Sequence, residues 1–130
     1  MTKEIVWTPP EEIIKNSKLT SFIKYCNLKN YDTLEAKALQ NPGWLWDSVI
    51  KFSDLKFYKN YEQIMNESDG IPWTKWCVGG KTNIVLNCID RHKDKELFND
   101  TFIFSEKENG ETSSITYPDF DKKISQVGNA

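Results

Sequence analysis

The window over residues 72–84 constrains this chain more than any other part of it. Pro72, Trp73 and Trp76 are followed within a few positions by Gly79 and Gly80, and the window runs on to Asn83, Asn87, Asp90, Arg91 and His92. A tryptophan side chain is too large to sit at a loop boundary without something to pack against. A glycine pair lets the backbone adopt φ > 0 or approach a neighbour closely. Asn83 or Thr82 can then cap a helix that carries Ile84, Val85, Cys88 and Ile89 towards a core. Ahead of the window, Ser68-Asp69-Gly70-Ile71-Pro72 is the clearest turn punctuation in the chain.

The first half reads as short helices joined by tight turns. Thr8-Pro9-Pro10-Glu11 looks like a helix start, with Thr8 as cap and Glu11 as its capping-box partner. Ser17 caps a second helix with Leu19, Phe22, Ile23 and Cys26 on one face. Asp32-Thr33-Leu34-Glu35 looks like a third cap with its box. Asn41-Pro42 marks a break and a restart, because proline lacks the N–H that a helix interior needs. Leu45, Trp46, Val49 and Phe52 line the inner face of the helix that follows.

The second half mixes helix and strand. Residues 101–104 form a strand, and Lys107-Glu108-Asn109-Gly110 is a hairpin turn of the Asn-Gly kind. Residues 113–117 form the return strand. Thr116 then opens a helix with Phe120, Ile124 and Val127 on one face. The expected fold is therefore α+β: short N-terminal helices, then a helix, a β-hairpin and a final helix. The expected domain division places a helical N-terminal cap at residues 1–70 and the start of a larger domain at residues 71–130.

Composition excludes several function classes. The chain has 130 residues, enough for one domain or a piece of one. Its 17 basic and 19 acidic residues nearly balance, and no basic stripe stands out, so no nucleic-acid partner is expected. An aromatic content of 13% argues against disorder. No apolar run approaches the ~20 residues of a membrane span, and residues 1–5 have no apolar core of a signal peptide. Cys26, Cys77 and Cys88 are odd in number and widely spaced, which suggests neither a disulfide framework nor a zinc site. A cytoplasmic location is expected.

No catalytic constellation can be assembled from the residues. Gly80-Lys81-Thr82 has the tail of a phosphate-binding loop, but Lys75 stands where that motif needs its first glycine. His92, the single histidine, lies among charged neighbours and reads as a solvated helix end. Cys77 and Cys88 sit beside apolar residues, as small buried hydrophobes do. The expectation is no catalytic residue, no cofactor-binding residue and no metal ligand within the chain.

A family resemblance covers nearly the whole sequence. Trp76-Cys77-Val78-Gly79-Gly80-Lys81-Thr82-Asn83, with Asn87-Cys88-Ile89-Asp90-Arg91-His92, resembles the "KWFxGGxLN…NCxDRH" segment of acetyl-CoA-synthetase-like acyl-CoA ligases. The opening Trp7-Thr8-Pro9-Pro10-Glu11-Glu12-Ile13-Ile14 and Ser17 resemble that family's "W-x-P-x-x-E-x-I-x-x-S". Tyr31 to Leu34, Asn41 to Trp46, and Phe57 to Tyr61 are similar to its next motifs. Ile115-Thr116-Tyr117-Pro118-Asp119-Phe120 resembles its "I-T-Y-x-E-L". The sequence departs from the pattern at Cys77 (Phe is usual), Thr82 (Leu is usual) and Asn60 (Pro is common). A threonine at position 82 implies a less apolar helix start there than the family pattern.

The resemblance implies the N-terminal part of an enzyme that joins a carboxylic acid to coenzyme A through an acyl-adenylate, using ATP and magnesium. The family's phosphate loop, ribose-binding aspartate, interdomain hinge and C-terminal lysine have no counterpart in these 130 residues. The expected role is structural, resting on Trp7, Trp46, Trp76, Gly79, Gly80, Asn83, Asn87, Asp90 and Arg91. The expected partner is the remainder of the synthetase chain, or a partner protein, at the Phe120/Ile124/Val127 face, with self-association through that face when it is left open. The alternative expectation is a free-standing interaction module derived from such an enzyme.

Overall fold

Asparagine, serine and proline set the helix boundaries of the first half. The structure is a computed structural model, and it describes residues 6–129. The expectations that touch residues 1–5 and Ala130 lie outside the described residues.

Helix α1 (Glu11–Asn16) begins after Pro10 with no side-chain cap. The expected Thr8 cap is thus corrected: Thr8 lies two residues before the helix boundary, too far for its hydroxyl to serve the first turn. Glu11 and Glu12 instead place negative charge at the helix start. Ser17 closes α1 and caps α2 (Lys18–Tyr25), its Oγ accepting from the Thr20 N–H at 3.0 Å. The third cap is Asn30 rather than Asp32. Asn30 Oδ1 accepts from the Thr33 N–H at 3.0 Å and Thr33 Oγ1 accepts from the Asn30 N–H at 3.2 Å, a reciprocal box at the start of α3 (Tyr31–Gln40). Asn41 Oδ1 accepts from the Trp44 N–H at 2.9 Å, and Pro42 opens α4 (Pro42–Phe52) as expected.

A second small sheet is present that the sequence did not suggest. Strand β1 (Gln63–Asn66) pairs antiparallel with β2 (Lys75–Val78), with Met65 opposite Trp76, and a 3-10 turn at Ile71–Trp73 lies in the connection. The tryptophan–glycine window is therefore a strand and its turn rather than a loop. Both strands are only four residues long, too short to show an alternating pattern. Buried Gly43 lets the start of α4 approach β1: a Cβ there would come within 3.3 Å of Ile64 Cγ2.

The described chain forms two compact units. One comprises residues up to 55 with residues 61–79; the other comprises residues 56–60 with residues from 80 onwards. The expected boundary at residues 70 and 71 falls inside the first unit. The core of that unit holds Phe22 and Leu34, with the Phe52 ring edge-on to Phe22 at 5.2 Å and tilted against Tyr25 at 5.4 Å.

The second unit holds α5 (Ile84–Cys88), 3-10 turns at Asp90–His92 and Glu96–Asn99, strands β3 (Thr101–Glu106) and β4 (Thr112–Thr116), and α6 (Tyr117–Gly128). The β3–β4 hairpin forms as expected, but its turn is not the mirror-image Asn-Gly kind. Gly110 has φ +81° while Asn109 does not have positive φ, and the Gly110 N–H donates to the Lys107 carbonyl at 2.8 Å. The hairpin register slips between Thr101 and Ile103, leaving Phe102 as the extra residue of a bulge. Phe102 packs 4.7 Å from both Tyr117 and Phe120, ring centre to ring centre. Ile89 is 1% exposed and anchors this core.

Two expected core residues of α5 are not buried. Ile84 and Cys88 are exposed, because a five-residue helix directs only one side inward, through Val85 and then Ile89. On α6, Phe120 and Ile124 are half-buried but Val127, almost a turn further on, is 80% exposed. The architecture is α+β: six helices and two two-stranded sheets among the described residues.

Candidate interaction site

The structure brings Trp46 and Trp76 together. Their rings meet edge to face at 6.0 Å, one from α4 and one from β2, and each remains 48% exposed. With Ile50, Ile64 and Cys77 they line an open apolar groove of about 360 Å³. Cys77 has φ +50°, an uncommon conformation for a residue with a Cβ, and it leads into the turn at Gly79, φ +78°. Burial pushes the Cys77 thiol pKa up, with the nearby Asp47 charge adding to it, so the thiol is a poor nucleophile at neutral pH.

Beside the groove, one carboxylate holds two donors. Tyr61 Oη donates to Asp47 Oδ1 at 2.6 Å, and Lys51 Nζ pairs with Asp47 Oδ2 at 2.6 Å, one helical turn along α4. Burial and then the Asp47 hydrogen bond push the Tyr61 hydroxyl up to about 12. For Asp47, burial pulls the other way, but the hydrogen bonds from Lys51 and Tyr61 outweigh it and hold the carboxyl below its usual range.

In the second unit, Asn83 caps α5 by accepting from the Val85 N–H at 2.8 Å. Asn87, one turn on, brackets Lys56. Its Oδ1 accepts from the Lys56 N–H at 2.7 Å, while its Nδ2 donates to the Lys56 carbonyl at 3.0 Å and to Thr82 Oγ1 at 3.1 Å. Thr82 Oγ1 in turn donates to the Lys56 carbonyl at 2.7 Å. This explains a hydroxyl at position 82: the site is a polar clamp on backbone rather than an apolar seat. Lys81 pairs backbone to backbone with Lys59. Gly80-Lys81-Thr82 is thus spent on chain pairing. In this loop the Thr82 hydroxyl and the Lys81 backbone are taken up by contacts to Lys56 and Lys59.

Asp90 pairs with Lys93 at 2.9 Å, and Lys93 also reaches Asp121 of α6 at 3.0 Å, so one lysine ties the 3-10 turn to the last helix. His92 is not a solvated helix end. Its ring lies 5.9 Å from Tyr117, edge on, and its Nδ1 is buried without a hydrogen-bond partner. Burial, reinforced by Lys95 and Arg91, lowers its pKa. Arg91 is half-buried in the same turn. Trp7 is 66% exposed. Phe120 and Ile124 line an apolar groove of about 290 Å³ with Ile84, Val85 and Phe102.

Sequence reasoning missed the Asp47–Tyr61 pair and the hold of Asn87 on Lys56, since partners 14 and 31 positions apart leave no local signal. Among the described residues, no group of three or more His, Cys, Asp or Glu side chains is placed to hold a metal ion. No helix among them is long and apolar enough to cross a membrane. Each unit thus carries an open apolar groove: the first at Trp46 and Trp76, the second at Phe120 and Ile124.

Comparison with known proteins points to the same family as the resemblance. A family model described as the acetyl-coenzyme A synthetase N-terminus matches residues 31–88. An acetyl-coenzyme A synthetase of Leptospira biflexa is 28% identical over 122 residues, which is 93% of this chain and 18% of the relative. One from Helicobacter acinonychis is 34% identical over 84% of this chain and 16% of its own length. A 3-hydroxypropionyl-coenzyme A synthetase of Sulfurisphaera tokodaii is 31% identical over 80% of this chain and 16% of its own length. The chain thus spans less than a fifth of these relatives. Over most of its length, this chain is similar to acetyl-CoA-synthetase-like acyl-CoA ligases, and residues 31–88 match the N-terminal family model.

Proposed function

We propose that this chain is the N-terminal structural part of an ATP-dependent ligase that converts a carboxylic acid to its coenzyme A thioester. It serves as a docking frame and contributes no catalytic group. One observation carries the reading: the similarity runs across 93% of the chain while reaching only 18% of the relative's length. In that reaction the carboxylate displaces pyrophosphate from ATP, and the coenzyme A thiol then displaces AMP. The charge developing on phosphate needs cations and hydrogen-bond donors around it. In this reading ATP, magnesium and coenzyme A are held by other parts of the ligase, in the cytoplasm. The contribution of this chain is to present the half-exposed Trp46–Trp76 groove and the Phe120/Ile124 groove to those parts.

The mass of the native gene product, detected with an antibody to this segment, tests the reading. A product several-fold larger, which releases AMP with acetate, propionate or 3-hydroxypropionate in the presence of ATP and coenzyme A, is the expected result. A 15.2 kDa product that co-purifies with no ligase polypeptide overturns it. That outcome favours the second reading, a free-standing interaction module, which the exposed Trp46–Trp76 groove also supports.

A further inference from the structure

The tip of the β3–β4 hairpin carries chemistry that the fold does not use. Asn109 is the one asparagine in the chain that is followed by glycine. A backbone nitrogen can attack the side-chain carbonyl of the asparagine before it, and a side chain on the attacking residue hinders the approach. Glycine has no Cβ to do so. At Gly110 the space that a Cβ would take is open, with nothing within 4 Å. Residues 104–114 are exposed, so water and hydroxide reach the site.

Two hydrogen bonds at the tip act in opposite directions. The Glu111 N–H donates to Asn109 Oδ1 at 3.0 Å, which polarises the side-chain carbonyl towards attack. The Gly110 N–H donates to the Lys107 carbonyl at 2.8 Å, which holds the attacking nitrogen back. Lys107 and Glu111 clasp the tip, N–H to carbonyl at 2.9 Å and Nζ to Oε2 at 3.0 Å. Exposed bonds of this kind open locally without unfolding of the chain.

We propose that Asn109 is a deamidation site whose reaction is gated by opening of the hydrogen bond between Gly110 and Lys107. Once that bond opens, hydroxide removes the Gly110 N–H proton and the nitrogen bonds to Asn109 Cγ. The Cγ–Nδ2 bond breaks, Nδ2 leaves as ammonia, and a cyclic succinimide remains. Water then opens either carbonyl of the ring, giving aspartate or isoaspartate at position 109. Either product adds a negative charge beside Glu108 and Glu111. Isoaspartate also adds a methylene to the backbone, which no longer fits this turn.

The test uses the native gene product at its full length, incubated folded at neutral and mildly alkaline pH, so its outcome is independent of the ligase reading. Trypsin cuts after Lys107 and Lys122. The peptide of residues 108–122 then reports the reaction by the mass gained when NH is replaced by O. Enzymatic methylation of isoaspartate identifies that product, and Asn109→Gln should lose the methylation in this peptide. Conversion at Asn109 is expected, faster at the higher pH because the attacking group is a deprotonated amide. It should run several-fold more slowly than in a synthetic peptide of residues 104–114, which has no folded hairpin to hold Gly110 back. No conversion in the folded product, while the free peptide converts, overturns the proposal. Equal rates in the two overturn it as well, since the turn would then exert no hold.

Discussion

Asn87 holds Lys56 by both of its backbone polar groups: the Lys56 N–H donates to Oδ1 at 2.7 Å, and Nδ2 donates to the Lys56 carbonyl at 3.0 Å. A side-chain amide here does what a neighbouring strand does in a sheet. It ties the segment at residues 56–60 to the start of α5, and Thr82 completes the clamp. Asn87→Ala should therefore destabilise the chain by about 1–2 kcal/mol, since a net hydrogen bond is worth ~1 kcal/mol. The Lys56 N–H loses its Asn87 acceptor, while the Lys56 carbonyl keeps only the Thr82 hydroxyl of the two clamp donors. Asn87→Asp should cost a similar amount, because a carboxylate cannot donate to the Lys56 carbonyl. Urea melts and exchange of the Lys56 amide provide the check. Unchanged amide protection in Asn87→Ala would remove the clamp from the account.

The Trp46–Trp76 pair gives a second prediction. Truncating a buried tryptophan costs about 3–5 kcal/mol, but each ring here is 48% exposed. Trp76→Ala should accordingly cost about half as much, roughly 1.5–2.5 kcal/mol. A double-mutant cycle with Trp46→Ala should return a coupling of about 0.5–1.5 kcal/mol for the edge-to-face contact. Additive single effects would show that the rings are neighbours without being partners.

Stability should depend on alkaline pH through Tyr61. Its hydroxyl is pushed up to about 12 in the folded chain, against an unfolded value near 10. The unfolded chain then loses this proton first. The contribution is complete below about pH 10 and is lost as pH rises to about 12. Tyr61→Phe should lose that part of the alkaline slope. At the acid end the sign is the opposite: the lowered Asp47 carboxyl contributes above its unfolded value of about 3.9 and fades as pH falls below it. Equal alkaline slopes for the parent and Tyr61→Phe, in melts taken across this range, would contradict the assignment.

Gly79 carries the turn after β2. It has φ +78°, and a Cβ there would lie 3.1 Å from the Glu62 side chain. Gly79→Ala should cost about 1–2 kcal/mol, combining left-handed strain with the need to displace Glu62. Gly128→Ala is the control, because it sits in α6 with open space around it and should be neutral or slightly stabilising. Equal melting temperatures for the two variants would show that the turn does not need glycine.

Local chemistry was legible in the sequence wherever a residue acts on its near neighbours. Ser17, Asn41, Asn83 and Thr116 cap the helices that follow them because a short polar side chain reaches only two or three residues along the backbone. The hairpin at Asn109-Gly110 follows for the same reason. The cap of α3 was misplaced from Asn30 to Asp32, because several polar residues cluster there and only the backbone path decides which of them faces the open N–H groups. The cap expected at Thr8 has no counterpart, since α1 starts after Pro10 with no side-chain cap. The resemblance to the N-terminus of acetyl-CoA synthetases was also legible, since it depends on residue identity alone.

Only the tertiary structure decided the rest. The β1–β2 pair, the meeting of Trp46 with Trp76, the Asp47–Tyr61 bond and the bracketing of Lys56 all join residues far apart in sequence. Nothing local to either partner specifies such a contact. It forms when packing has brought the two segments together and has left their polar groups no better partner.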